Sequence, residues 1–192
     1  MKSGTQTTIV LRNEKIEATY IGSGRHAKAY RVKDDVFLFV RDCLMKEAIA
    51  GIEHPHVPVL KHVENKNEVG IWMMPFYEPL TAKNRAAWSQ YRELKRCASE
   101  AVPRVINSNP KMHHADLGYM MARHVCENAD VNATLRSALD EMIEKAKDYG
   151  EGISFEFDKR NLGIDEEGRL VLRDVLYDRR LICESKGRTR RL

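Results

Sequence analysis

The chain has 192 residues, 43% of them hydrophobic, enough to bury a core without disulfides or a structural metal. Thirty-two basic and 28 acidic side chains leave a formal +4, with four basic residues and no acid between Lys186 and Leu192, a tail that fits a solubilising end or a contact with nucleic acid or an acidic partner. No apolar run approaches the ~18 residues of a membrane helix, no signal peptide opens the chain, and Cys43, Cys97, Cys126 and Cys183 stand far apart, so membrane and disulfide-scaffold classes are set aside and a cytoplasmic protein is expected.

In chain order, residues 7–20 alternate as two strands around Arg12-Asn13-Glu14-Lys15. The second strand runs into Gly22-Ser23-Gly24 and out again through Ala27 to Val32, all β-prone. Glycines that open a helix point to a dinucleotide or Walker site, but no helical period and no Gly-Lys-Ser/Thr follows Gly24. A glycine loop between strands is either an ordinary hairpin or a flap whose small residues let backbone amides approach phosphates. Val36 to Val40 is an apolar strand, Leu44 to Ile52 a short helix carrying Glu47, and His54 to Leu60 leads into a further strand. A turn at Glu64 to Glu68 precedes the strand Val69 to Met74, and together these elements predict a five-stranded sheet with one helix. The stretch from Met73 to Leu80, with two prolines and no period, reads as a connector and a domain boundary at residue 77.

Beyond it the chain turns helical. Asn84 to Ala101 and Gly118 to Cys126 predict two helices, and Asn132 caps a third, in which Leu135, Leu139, Met142, Ile143 and Ala146 share one face and which Gly150 and Gly152 stop. His113, His114, His124 and Cys126 offer no CxxC or HxxxH spacing for zinc. Next comes SFEFDKRNLGIDEEGRLVLRDVLYD, from Ser154 to Asp178. Asn161 to Ile164 and Arg169 to Leu172 read as strands joined by the acidic, glycine-ended turn Asp165 to Gly168. Folding there returns Asp174 to Asn161, thirteen residues earlier, with Glu156 five residues before the amide. An acidic hairpin of no special purpose has this composition too, but two hard oxygen ligands beside a second acid suit a nucleotide-bound Mg²⁺.

The glycine loop, the order of strands and helices and the Glu-Asn-Asp spacing together resemble the small early protein kinases of T-odd podophages of enterobacteria. The resemblance spans about residues 20–178 and rests on IGSGRHAKAY, VGIWMMPFYEPL, LRSALDEMIEKAKDYGEGI and SFEFDKRNLGI with LVLRDV. It implies an α+β, protein-kinase-like bilobal fold, with a β-sheet N-lobe plus one helix over residues 1–77, a reduced and mostly helical C-lobe over 78–183, and a basic tail over 184–192. It puts Gly22, Ser23 and Gly24 over the phosphates of ATP, Met74 at the gatekeeper position, and Phe76 and Tyr77 in the hinge. Glu47 takes the place of the helix glutamate, Glu156 that of the catalytic aspartate, and Asn161 and Asp174 those of the Mg²⁺ ligands.

The chain departs from that pattern at charged positions. The small-lobe strand should carry a phosphate-pairing lysine, but the aligned residue is Phe39; Arg41 shares its parity and Lys28 lies on the other face from Ala27 and Ala29. Glu156 is longer than aspartate by a methylene, a displacement of about 1 Å that can cost ~10²-fold in rate. Two functions are therefore expected to compete: a disarmed kinase fold that grips a host protein, and a minimal serine/threonine kinase that transfers the ATP γ-phosphoryl to host proteins. A small-molecule phosphotransferase of the aminoglycoside-kinase type shares the signals, but the chain has no large substrate-binding insertion.

Overall fold

A computed structural model describes residues 2–24, 27–41, 44–108, 114–148 and 153–178. The fold is mixed α+β, and the chain divides into two compact units: Met1–Gly51 with Pro58–Phe76, and Ile52–Val57 with Tyr77–Leu192.

The first unit is built on a six-stranded antiparallel sheet, one strand more than expected. Its strands are β1 (Gln6–Leu11), β2 (Glu14–Ser23), β3 (Ala27–Val32), β4 (Asp35–Val40), β5 (Lys61–Lys66) and β6 (Val69–Pro75), in the order β1-β2-β3-β4-β6-β5. The first turn is tighter than the sequence reading: Arg12 and Asn13 alone connect β1 to β2, both at positive φ (48° and 69°). Asn67 and Glu68 do the same between β5 and β6 at 47° and 63°. Left-handed residue pairs of this kind match the twist of the strands they join. The sheet curls until the backbone N–H of Arg12 donates to Glu64 Oε1 at 2.8 Å. Inside the curl Ile9, Leu11, Ala18 and Ile71 are buried, with Tyr30, Phe37 and Phe39 packed against them. A short helix, α1 (Leu44–Ala50), follows β4 and buries Met45, Ala48 and Ile49.

The second unit holds three longer helices, α2 (Arg85–Ser108), α3 (His114–Asn128) and α4 (Ala133–Lys147). The expected end of α2 at Ala101 is overrun: the helix continues through Pro103, one backbone donor short. α3 likewise begins a turn before Gly118. α4 starts where the sequence places it, with Asn132 Oδ1 accepting from Leu135 N–H at 2.7 Å; Gly150 and Gly152 lie outside the described residues. α2 packs on α3, and α3 on both α4 and a short strand, β8 (Ile153–Phe155). Leu94, Val125, Leu135, Leu139, Met142 and Ile143 are fully buried in this core.

The division of the chain is not contiguous in sequence. Ile52–Val57 belongs to the second unit although it interrupts the first in sequence. The reason is His56, buried with its Nδ1 2.6 Å from Leu170 O while its own carbonyl accepts from Leu172 N–H at 2.8 Å. Among the described residues no helix is long and apolar enough to cross a membrane.

Candidate functional site

The hairpin of the second unit is shorter than its sequence suggests. Lys159–Asn161 form a 3-10 turn, so the paired strands are β9 (Gly163–Ile164) and β10 (Leu170–Val171), with β7 (Glu78–Pro79) on the other side of β9. Asp158 makes the turn by accepting from the N–H and the Nε of Arg160, both at 2.9 Å. Those bonds to Arg160 hold the Asp158 carboxyl below its ordinary pKa. The far end closes as expected: Gly168 takes φ 78°, its N–H donates to Asp165 O at 3.0 Å, and Asp165 N–H donates to Arg169 O at 3.1 Å.

At the neck of this hairpin Glu156, Asn161 and Asp174 come together. β8 and β11 (Leu176–Asp178) pair antiparallel, and beyond them Glu156 N–H donates to Val175 O at 2.8 Å. Asp174 N–H then donates to Asn161 O at 3.0 Å. The Asn161 amide nitrogen donates to Glu156 Oε2 at 3.3 Å and to Glu156 O at 3.4 Å, which leaves its Oδ1 as the free acceptor of that amide. Glu156 and Asp174 are exposed and Asn161 is half-buried. Mg²⁺ held on phosphates needs only one or two protein oxygens, because it keeps several waters. Asn161 Oδ1 and the Asp174 carboxylate fit that donor set. Among the described residues no group of three or more His, Cys, Asp or Glu side chains is placed to cage a metal.

Arg173, which the sequence reading passed over, lies against the same neck. Its Nη2 donates to Arg160 O at 2.9 Å, while its Nε is buried without an acceptor. Burial lowers the pKa of this guanidinium, against Asp174 and Tyr77, which raise it. Tyr77 is buried beside it, and both reach the space over Gly163.

The remaining residues singled out in the sequence are carried by the first unit. Gly24 N–H donates to Ala27 O at 2.9 Å, closing a loop whose Arg25 and His26 lie outside the described residues. Neither Gly22 nor Gly24 has positive φ, and a Cβ added to either meets nothing within 4 Å. What glycine provides there is open space above the backbone, with Ser23 exposed between them.

Met74 is buried on β6, opposite Val36. Paired residues of neighbouring strands share a face, so Val36, Leu38 and Val40 lie with Met74, Trp72, Ala29 and Ala27 on one side of the sheet. Phe39 pairs with Lys28 and Ile71 on the other. The aligned lysine position therefore faces the interior of the curl, away from Met74, and Arg41, of the same parity, sits in an exposed bend past the end of β4. Arg41, with Lys28 the nearest substitute for the missing lysine in the sequence, thus shares the parity of Phe39 and lies beyond the strand. Arg31, the charged residue β3 presents on the face of Met74, lies over the Phe76 ring at 3.7 Å and donates its Nε to Lys33 O at 2.8 Å.

Glu47 lies on α1, the helix on which the sequence places it. Glu47 is exposed, and the buried charged residue of that helix is its neighbour Lys46.

No family model matches the chain, and no curated protein matches it.

Proposed function

We propose that the chain is a protein-kinase-like bilobal protein of the phage type that acts by gripping a host protein and transfers phosphate slowly or not at all. The observation that carries this reading is the hydrogen-bonded convergence of Glu156, Asn161 and Asp174 at the neck of one hairpin. Its support for weak catalysis is the face that β4 shares with Met74: Val36, Leu38 and Val40 supply no cation there, and Arg31 of β3, on the same face, is engaged with the Phe76 ring and with Lys33 O. Phosphoryl transfer draws most of its acceleration from positioned charge, so a β4 strand without a cation of its own is poorly equipped for it. The basic tail from residue 184, lying outside the described residues, is a second surface for an acidic partner or nucleic acid.

A thermal-shift titration with ATP and Mg²⁺ tests the reading, because a ligand of the native state alone raises the melting point. The native chain should shift upward. Asp174→Ala, at an exposed position, should keep its unliganded melting point and lose the shift. An unchanged shift in that variant would sink the metal assignment, and no shift in the native chain would sink the nucleotide reading altogether.

The alternative, an active minimal serine/threonine kinase, draws support from Glu156 itself, an exposed carboxylate that accepts from the Asn161 amide and is chemically able to accept a proton. Brisk transfer from labelled ATP that Glu156→Gln stops would favour it. Little transfer, and little further loss in Glu156→Gln, is the expected result.

A further inference from the structure

Two consecutive residues on one side of the hairpin neck hold two consecutive carbonyls on the other. Arg173 Nη2 takes Arg160 O at 2.9 Å and Asp174 N–H takes Asn161 O at 3.0 Å. The arginine is accommodated because residue 163 is glycine. A Cβ there would stand 2.9 Å from Arg173 Cδ, 3.0 Å from its Nε and 2.6 Å from Tyr77 Cβ. This guanidinium is an expensive filling for the space. Its Nε is buried with no acceptor, where an aliphatic side chain would leave no polar group unmet.

We propose that Arg173 is a positioning residue for the metal pair: by holding the carbonyl of Arg160 it fixes Asn161 relative to Asp174, so that their oxygens meet one small cation. The inference rests on the reading of Asn161 and Asp174 as Mg²⁺ ligands. Charge and geometry make opposite predictions for its removal. Taking a positive charge away from a divalent-cation site relieves repulsion and should tighten binding. Loss of the clamp lets the two ligands drift and should weaken it.

The experiment uses the full chain, with Mn²⁺–ATP as a paramagnetic probe, read as the enhancement of water-proton relaxation over that of Mn²⁺–ATP without protein. Amide hydrogen exchange is followed in the metal-free protein alongside. In Arg173→Leu the affinity for Mn²⁺ with ATP should fall at least tenfold. The Asp174 amide should exchange at least tenfold faster, while Leu139 and Ile143 in α4 keep their native protection. Tighter or unchanged binding, or unchanged exchange at Asp174, overturns the proposal. Arg173→Lys keeps the charge and a single-point donor in place of the planar fork, and should fall between native and leucine in both readouts. It also decides the matter if the leucine variant loses α4 protection: native values in both readouts overturn the clamp. A native protein that binds no Mn²⁺ with ATP, yet shows faster Asp174 exchange in the variants, overturns the metal reading and the proposed role with it.

Discussion

Phe39 meets Tyr30 edge-on, with ring centroids 5.3 Å apart, over the cluster of Ile9, Leu11, Ala18 and Ile71. A lysine at this position would lose those contacts and set an ammonium against apolar neighbours. Phe39→Lys should therefore cost about 2–4 kcal/mol of stability and leave the affinity for nucleotide no higher than that of the native chain, as read from the urea midpoint and a titration with ATP and Mg²⁺. A gain in nucleotide affinity over the native chain would show that the position faces the nucleotide after all. Sequence alone could not decide the point. In VFLFV both phases of the alternation are apolar, so the strand reads alike whichever face is turned inward; only its pairing with β3 and β6 fixes the parity. Glu156, Asn161 and Asp174 were legible for the opposite reason: Gly168 and its acidic turn fix the hairpin length, and with it which residues return to the neck. Arg173 left no such mark, since its role depends on an empty side-chain position ten residues away, at Gly163.

Glycine plays a similar part where α3 crosses β8. A Cβ at Gly118 would fall on Ser154 Oγ and come within 2.7 Å of Ile153 O. Alanine is the better helix former by about 1 kcal/mol, but overpacking against backbone typically costs about 1–3 kcal/mol. Gly118→Ala should thus lower stability by about 1–2 kcal/mol on balance, measured by chemical unfolding, and a stabilised variant would show that the helix can shift at no cost. The sequence reading took this glycine for the start of the helix, whereas the helix begins a turn earlier and the glycine marks its contact. Caps were easier to read than contacts. Asn132 announces α4 through a bond within its own first turn, a local signal, while the close approach of α3 to β8 joins segments far apart in sequence. The 3-10 turn at Lys159–Asn161 also depends on a local bond, from Asp158, but it shortened β9 because strand propensity carries no information about where pairing stops.

For the whole molecule, the excursion of Ile52–Val57 into the second unit makes stability depend on pH. The backbone N–H of His56 donates to His54 Nδ1 at 3.2 Å, and the rings stack with centroids 5.8 Å apart. That bond requires an unprotonated nitrogen. Burial, and then His56, lower the pKa of His54 below its ordinary 6.5, with Glu141 pulling the other way. The contribution is complete above the ordinary value, where both states are neutral. As the pH falls below about 6.5 the unfolded chain takes up a proton that the native chain refuses, and stability declines toward the lower native pKa. Unfolding free energy measured in urea should drop from pH 7 to about pH 5, and His54→Asn, which keeps an acceptor without the titration, should flatten part of that slope. An identical slope in the variant would place the pH dependence elsewhere. The curl of the six-stranded sheet has a different consequence, for what the protein can attract. An uncovered edge strand is a template on which another chain can add itself. Here β5 carries Lys61, His62, Glu64 and Lys66 along its edge, and Glu64 is already bonded to the turn that ends β1. Charge and closure together discourage strand addition along β5, so a protein captured at that edge must be recognised through its side chains, and unwanted copies of the chain gain little purchase there for aggregation.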